Sequence, residues 1–106
     1  MIKYTLTMGL FDKDSHVQEI STVHAYKLLN RMVVTKLGFG TITEATGVYT
    51  HDDGTTVSEP SLKVEVLATD DNINDSSIKE LATEMKSQFN QESILFEKYE
   101  ITGLFI

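Results

Sequence analysis

The order of apolar patterns along the chain constrains its fold more than any other feature of the sequence. Residues 2–11 alternate apolar and polar side chains, as expected of a half-buried strand. Residues 78–89 instead repeat apolar side chains every three or four positions, which is the spacing of an amphipathic helix. Asn74 is well placed to cap that helix, and Leu81 lies in the middle of its apolar side.

A second helical pattern follows the first strand. Ser21 and Thr22 are both good N-caps, and Gly38 and Gly40 supply a stop signal. The side chains between them form one broad apolar side and one polar side. The apolar members are Ala25, Tyr26, Leu29, Met32, Val33 and Leu37.

The segment between the two helices predicts two strands joined by a turn. Residues 41–50 are rich in β-branched side chains, and we expect a bulge at Ala45–Gly47. The Asp-Gly pair at 53–54 is a turn signal. Pro60 lacks a backbone donor, so we expect it at a sheet edge or at the start of the strand that alternates over 62–68.

A last strand opens at Ile94 and runs towards Ile101, which gives the order strand, helix, strand, strand, helix, strand. This order is typical of the α+β ferredoxin-like βαββαβ arrangement, a four-stranded antiparallel sheet with two helices on one face. A chain of 106 residues is long enough for one core, and it contains no linker-like stretch or repeat. We therefore predict a single domain over residues 1–106.

Charge is distributed unevenly along the chain. The formal net charge is −7, and residues 44–106 carry thirteen acidic and four basic side chains. A chain this acidic is repelled by phosphate backbones and by anionic lipid surfaces. We therefore predict no binding to nucleic acid or to membranes, and the acidic region would instead suit a basic protein partner.

Composition excludes several further classes of protein. The chain has no cysteine, which excludes disulfides, thiolate metal sites and cysteine nucleophiles. Its longest apolar runs are far shorter than the roughly 20 residues that span a bilayer. The first residues are too polar for the core of a signal peptide. We expect a soluble cytoplasmic protein.

Four sequence patches span most of the chain. They are Met8-Gly9-Leu10, Gly40-Thr41-Ile42-Thr43 with Ala45 and Gly47, Asp53-Gly54 with Glu59-Pro60-Ser61, and Phe89-Asn90-Gln91-Glu92-Ser93. Together they resemble a domain-of-unknown-function family of small bacterial proteins. Tyr26 and Tyr49 stand where relatives often have Trp, and the export or lipoprotein signal of many members is absent. The resemblance implies the fold but no mechanism. A phage or mobile-element origin is compatible with so small and acidic a chain.

Glu59 is the first candidate for acid–base chemistry, because a carboxylate beside a proline can act as a general base. Tyr4 and Tyr49 are further acid–base candidates. A catalytic pocket would lie between the sheet and the helices. Glu59 could instead accept hydrogen bonds from the backbone of the Phe89–Ser93 loop, and we favour that structural role.

The remaining ligand-type side chains form no strong pattern. Asp12, Asp14 and His16 alternate as in a calcium loop, but the glycine and glutamate that such a loop requires are missing. His24 and His51 lie on a predicted helix and in a turn. Serine nucleophile motifs, phosphate loops and dinucleotide fingerprints are absent. We therefore expect no metal site and no cofactor.

The side of the sheet that faces away from the helices is the most informative predicted surface. It carries apolar side chains, and the chain also ends in an uncharged apolar tail. A patch of this kind usually marks an interface. We expect a homodimer whose interface residues are Leu67, Leu95, Tyr99, Leu104, Phe105 and Ile106.

Three functions stay open on this evidence. We favour a non-catalytic oligomeric interaction or regulatory module, because no catalytic constellation is visible. The alternative is a small dimeric ferredoxin-like enzyme of the isomerase or cofactor-free oxygenase type. The third is an acidic inhibitor of a nucleic-acid-processing protein. A polar cleft that holds Glu59 and a histidine would argue against the first.

Overall fold

The computed structural model describes residues 1–106 and contains the predicted elements in the predicted order. They are β1 (Ile2–Gly9), α1 (Thr22–Leu37), β2 (Thr41–Thr50), β3 (Thr56–Ala68), α2 (Asp75–Gln88) and β4 (Leu95–Glu100). The strands form one antiparallel sheet in the order β2-β3-β1-β4. The ferredoxin-like α+β fold is therefore confirmed. Neither helix combines the length and the apolar character that crossing a membrane requires.

The helices cover one face of the sheet, which we call the inner face, and the core lies there. Leu6 of β1 is paired with Val64 of β3 and with Phe96 of β4, so the same residue parity points inward on all three strands. Fifteen buried apolar residues from the sheet, the helices and their connections form one cluster. Leu81 is fully buried within it. Apolar side chains fill the centre of this layer. At its margin, residues of β1, β4 and the start of α2, among them Tyr4, Asp75 and Lys98, line an open depression of about 640 Å³.

The helix boundaries follow the local signals in the sequence. Ser21 caps α1 by accepting the His24 N–H at 3.2 Å, and the helix ends at Gly38 in the left-handed conformation with φ 87°. Asn74 caps α2 by accepting the Ser77 N–H at 3.0 Å. Ser77 Oγ accepts the Asn74 N–H in return at 2.9 Å, which completes a reciprocal capping box.

One local expectation for the β2–β3 hairpin is wrong and another is correct in part. The two strands pair without interruption, so no bulge occurs at Ala45–Gly47. Pro60 lies inside β3, opposite Thr46, and not at the strand start, but β1 pairs with β3 only from Ser61 onwards, so Pro60 does lie where one side of β3 has no neighbouring strand. Its carbonyl accepts the Leu10 N–H at 2.9 Å. Because the nitrogen and carbonyl of one strand residue point to the same side, the Pro60 nitrogen also faces the end of β1, and no bond to β2 is lost.

The β2–β3 hairpin extends beyond the rest of the sheet. β1 pairs only with the part of β3 from Ser61 to Ala68, whereas β2 pairs with β3 from residue 56 to residue 65. Residues 46–50 and 56–60 therefore form a two-stranded ribbon past the end of β1, which we call the hairpin ribbon. Its turn contains Gly54 with φ 89°, as the Asp-Gly signal predicts.

Candidate functional site

A polar cleft of about 470 Å³ lies on the outer face of the sheet, the face without helices. The ends of β1 and β3 form its floor and the hairpin ribbon forms one wall. Its other wall consists of the loop after β1 and the segment between α2 and β4. We call it the outer-face cleft. The residues around it that carry polar chemistry include Thr7, His16, Tyr49, His51, Glu59 and Gln91.

Glu59 lies at the centre of the outer-face cleft. It is an odd number of residues from Leu62, whose side chain is fully buried in the core, so the alternation of the strand directs Glu59 outward. Its Oε2 accepts the backbone N–H of Phe11 at 2.8 Å, and not an amide of the Phe89–Ser93 loop as we expected. Oε1 accepts no hydrogen bond from the protein, so half of the carboxylate is available to a ligand.

Two glycines flank Glu59 on the outer face. A Cβ at Gly9 would lie 2.5 Å from Cδ of Glu59 and 2.6 Å from its Oε1, so the absence of a side chain lets the carboxylate lie against β1. Gly47 is paired with Glu59 across the β2–β3 ladder. A Cβ there would meet Ser61 Oγ at an ordinary 3.6 Å. Gly47 therefore leaves open space beside Glu59 rather than avoiding a clash.

Aromatic and imidazole side chains approach the cleft from both walls. Tyr49 of the hairpin ribbon and His51, the first residue after β2, make an edge-to-face contact with ring centroids 5.2 Å apart. His16 belongs to the loop after β1 and has a left-handed φ of 61°, a conformation that costs energy in a non-glycine residue. His16 and His51 thus line one cleft, although the sequence separates them, and His24 lies elsewhere on α1.

Asn90 ties the loop after β1 to the segment after α2. Its Nδ2 donates to Asp12 Oδ2 at 2.8 Å and to Asp14 Oδ2 at 2.9 Å. Its backbone carbonyl accepts the Lys13 N–H at 3.0 Å. The Asn90 amide, and after it the backbone N–H groups of Ser15 and Asp14, hold the pKa of Asp12 below its usual range. These carboxylates therefore shape the loop. No group of three His, Asp or Glu side chains is arranged to hold a metal ion.

Gln91 belongs to the wall of the cleft that the segment between α2 and β4 forms. Its side chain is buried, and Nε2 donates to the carbonyls of Phe11 at 2.9 Å and of Phe89 at 3.1 Å. In the sequence, Gln91 stands out only as a member of the Phe89–Ser93 patch. Its partner Phe11 lies 80 positions away, so no local pattern connects the two residues.

Tyr4 lies on the inner face and is separated from the outer-face cleft by the sheet. Its hydroxyl donates to Asp75 Oδ1 at 2.6 Å, and Lys98 Nζ lies 2.9 Å from the same oxygen. Burial, followed by the contact with Asp75, raises the pKa of Tyr4 to about 12. Of the three acid–base candidates, the structure thus brings together Glu59 and Tyr49 but not Tyr4.

The predicted interface residues point away from the helices but occupy two places. Leu95 borders the outer-face cleft, whereas Leu67 and Phe105 line a separate groove at the other end of the sheet. The exposed members of the set are Leu95, Tyr99, Leu104, Phe105 and Ile106. Their exposure agrees with the predicted orientation, and their role as an interface stays a prediction.

Comparison with known proteins gives a family and a shared fold. Residues 3–103 match the family described as "Protein of unknown function (DUF3574)". The chain belongs to this family. A phage SAM lyase in complex with S-methyl-5'-thioadenosine aligns with a TM-score of 0.67 and 18% identity, over 93% of this chain and 80% of that chain. A phage SAM lyase in the apo state gives 0.68 and 19%, over 92% and 78%. No curated protein matches.

The four patches that resemble the DUF3574 family converge on one place in the structure. Each contributes a residue at or beside the outer-face cleft, in chain order Gly9, Gly47, Glu59 and Gln91. These residues lie on three different strands and at the end of α2. The fold therefore brings distant segments together around a single carboxylate.

Proposed function

We propose that this member of the DUF3574 family is a small enzyme that cleaves S-adenosylmethionine in its outer-face cleft. The observation that carries the proposal is the free oxygen of Glu59 in an open polar cleft, beside Tyr49 and two histidines. A cleft of this kind argues against a purely non-catalytic module. Its position on the outer face differs from the pocket that the sequence suggested, while its central residue is the same.

The size and charge of the cleft suit a cationic nucleoside. Small-molecule sites commonly enclose about 300–1,000 Å³, and the outer-face cleft falls within this range at about 470 Å³. Glu59 and Glu92 both border it and attract a positive charge. Tyr49 is 44% exposed, so its ring can contact a cation or a base.

Cleavage of a sulfonium compound requires few catalytic groups from the protein. The bond that breaks joins the sulfur to the amino-acid chain, and its electron pair stays on sulfur. The cationic sulfonium thereby becomes the neutral thioether S-methyl-5'-thioadenosine. The remaining amino-acid fragment either closes onto its own carboxylate or loses a proton to a base. Glu59 binds the cationic substrate in both routes, and in the second it also accepts the proton.

The structural comparisons support this choice of substrate through the fold. Two structures with the same architecture are phage SAM lyase, and one of them holds S-methyl-5'-thioadenosine. At 18% and 19% identity, the likeness concerns the fold, so the chemical argument depends on the residues of this chain.

The test is to incubate the purified protein with S-adenosylmethionine and to measure S-methyl-5'-thioadenosine by liquid chromatography and mass spectrometry. We expect product from the wild type and a rate lower by about 100-fold or more in Glu59→Gln, which keeps the size but loses the charge and the proton acceptor. The fate of the amino-acid fragment distinguishes ring closure from proton loss.

Glu44→Gln provides the matched control, since Glu44 is an exposed glutamate of β2 away from the cleft. We expect this variant to keep the wild-type rate. A wild-type protein that forms no product above the protein-free reaction would overturn the proposal. A rate that falls equally in both variants would remove Glu59 from the chemistry.

A homodimer is proposed as the assembly, and the exposed C-terminal tail is the observation that favours it. Leu104 and Phe105 are 83% and 73% exposed and Ile106 is fully exposed, next to a groove that includes Leu67. An ordinary interface would bury about 800 Å² per subunit. Light scattering at micromolar concentration should give a dimer mass for the full chain and a lower mass after deletion of residues 103–106. A monomer in both cases would overturn this assembly.

A further inference from the structure

We propose that Gln91 is a positioning residue that holds the catalytic carboxylate of Glu59 through the backbone of Phe11. This inference rests on the proposed function of the outer-face cleft. Gln91 does not contact Glu59. It bonds to the carbonyl of Phe11, and the N–H of the same residue is the protein donor to Glu59.

The main chain of Gln91 is fixed by the end of α2. Asn90 has a left-handed φ of 48°, and its N–H donates to the Ser87 carbonyl at 3.4 Å. The Gln91 N–H donates to the Lys86 carbonyl at 3.0 Å. These two bonds form the Schellman motif that ends many helices. The backbone of Gln91 is therefore as firmly placed as the helix itself.

The side chain of Gln91 bonds the loop after β1 to this fixed backbone. The residue is only 7% exposed, and its amide donates at 2.9 Å to Phe11 and at 3.1 Å to Phe89. A buried carbonyl that loses its hydrogen-bond donor lowers the stability of the folded protein. We therefore expect both bonds to be present at the same time. Phe89 belongs to the core cluster, which anchors one end of the arrangement.

Phe11 connects this anchored segment to Glu59 through its own N–H group. Its carbonyl is held by Gln91, and its backbone also forms an isolated bridge with Gln18. The Phe11 carbonyl belongs to the peptide group shared with Asp12, whose N–H donates to Val17 at 2.8 Å, whereas the Phe11 N–H belongs to the preceding peptide group. Holding the first group restricts the backbone torsions of Phe11, and the Phe11 N–H donates to Glu59 Oε2 at 2.8 Å. Without Gln91, the peptide group after Phe11 keeps only its bond to Val17, so the direction of the Phe11 N–H is less restricted and the donor to Glu59 is held less firmly.

The experiment compares Gln91→Leu with Gln88→Leu, the same substitution at an exposed position at the end of α2. For product formation from S-adenosylmethionine, we expect Gln91→Leu to lower kcat by about tenfold or more with KM nearly unchanged, because a misdirected catalytic group affects the chemical step. Gln88→Leu should leave both constants at their wild-type values.

A second measurement follows the Phe11 amide by NMR and requires no substrate. We expect its proton resonance to move upfield and its hydrogen exchange to accelerate in Gln91→Leu, in the same direction as in Glu59→Gln. A wild-type Phe11 signal in Gln91→Leu would overturn the positioning role. Absence of product from the wild type would count against the proposed function alone, since the NMR comparison tests the geometry independently.

The Gln91→Asn variant distinguishes a positioning role from a role that only supplies hydrogen bonds to buried carbonyl groups. It is also the variant to measure if Gln91→Leu does not fold. Its side chain is one methylene shorter, so we expect it to lose the bond to the Phe11 carbonyl, 80 positions away, and to keep a bond to Phe89 within its own segment. We expect the same upfield shift at Phe11 and the same loss of kcat with a smaller loss of stability. An Asn variant with wild-type kcat and a wild-type Phe11 signal would contradict the proposal.

Discussion

A carboxylate and a tyrosine occur near each other on both faces of the sheet, but in different environments. On the inner face, Asp75 Oδ1 accepts the Tyr4 hydroxyl and pairs with Lys98, and the tyrosine is 3% exposed. On the outer face, Glu59 accepts one backbone N–H, and Tyr49 is 44% exposed. The inner-face pair is thus joined by direct side-chain contacts, whereas Glu59 and Tyr49 on the outer face have no side-chain hydrogen-bond partner.

The difference separates a carboxylate with a structural role from the carboxylate to which we assign the proposed chemistry. The Tyr4 hydroxyl, and then Lys98, hold the pKa of Asp75 below its usual range, so this carboxylate stays ionised and engaged. Such a group joins α2 to the sheet. Glu59 has no side-chain partner, and two glycines keep space around it. Proximity of a tyrosine to an acid is therefore a weak sign of function when the two side chains are already bonded to each other.

Removing apolar volume from the inner face should give the largest effect. Leu81→Ala deletes a fully buried side chain, and we expect it to lower the free energy of unfolding by about 2–5 kcal/mol. Urea denaturation measures this loss. Because the cleft lies on the other face, the rate of product formation per folded molecule should stay at the wild-type value.

Gln88→Ala controls for a change at an exposed position of the same helix. We expect it to alter the free energy of unfolding by less than about 0.5 kcal/mol. Equal denaturation midpoints for the two variants would show that Leu81 does not belong to the core.

Substituting the two tyrosines separately should sharpen the comparison. Tyr4→Phe removes a hydrogen bond to a half-exposed carboxylate that keeps Lys98, and we expect a loss of about 1 kcal/mol of stability without loss of activity. Tyr49→Leu should leave the stability nearly unchanged, and the loss of the ring that contacts the substrate should lower the rate of product formation. Denaturation and product assays on both variants test this crossed pattern, and the reverse pattern would place the chemistry on the inner face.

Alkaline pH provides a smaller, graded test of the Tyr4 contact. Folding raises the pKa of Tyr4 from 10.0 to about 12, so the folded state holds the hydroxyl proton more tightly than the unfolded state. This contribution to stability is complete below pH 10 and is lost as the pH rises towards 12. We expect the urea midpoint to fall over that range, and to fall less in Tyr4→Phe. Parallel curves for the two proteins would contradict the assignment.

Features of the inner face could be predicted from the sequence because their signals are local. Asn74 is followed three residues later by its capping partner, and Leu81 repeats with its neighbours at helical spacing. Both predictions are confirmed. Pro60 lies inside β3 rather than at its start, and it fits there because β1 ends at the neighbouring position, which is a property of the assembled sheet.

The candidate site could be predicted only in part. Glu59 and Tyr49 were identified by residue type, but their position on the outer face depends on contacts that span 48 and 80 positions, from Phe11 to Glu59 and from Phe11 to Gln91. The convergence of His16 and His51 likewise follows from the hairpin and the loop meeting in space. Alternation along a single strand cannot reveal such meetings.

The hairpin ribbon gives the two walls of the cleft different stiffness. Residues 46–50 and 56–60 have only one neighbouring strand each, and an isolated pair of strands is marginally stable in water. Tyr49 and His51 therefore sit on a compliant support that opens at a lower free energy than the four-stranded floor. A ligand that bridges the walls would damp this motion, and part of its binding energy would be spent on lost conformational entropy. Affinity at this site is set by how far the ribbon is already ordered, as well as by the contacts it offers.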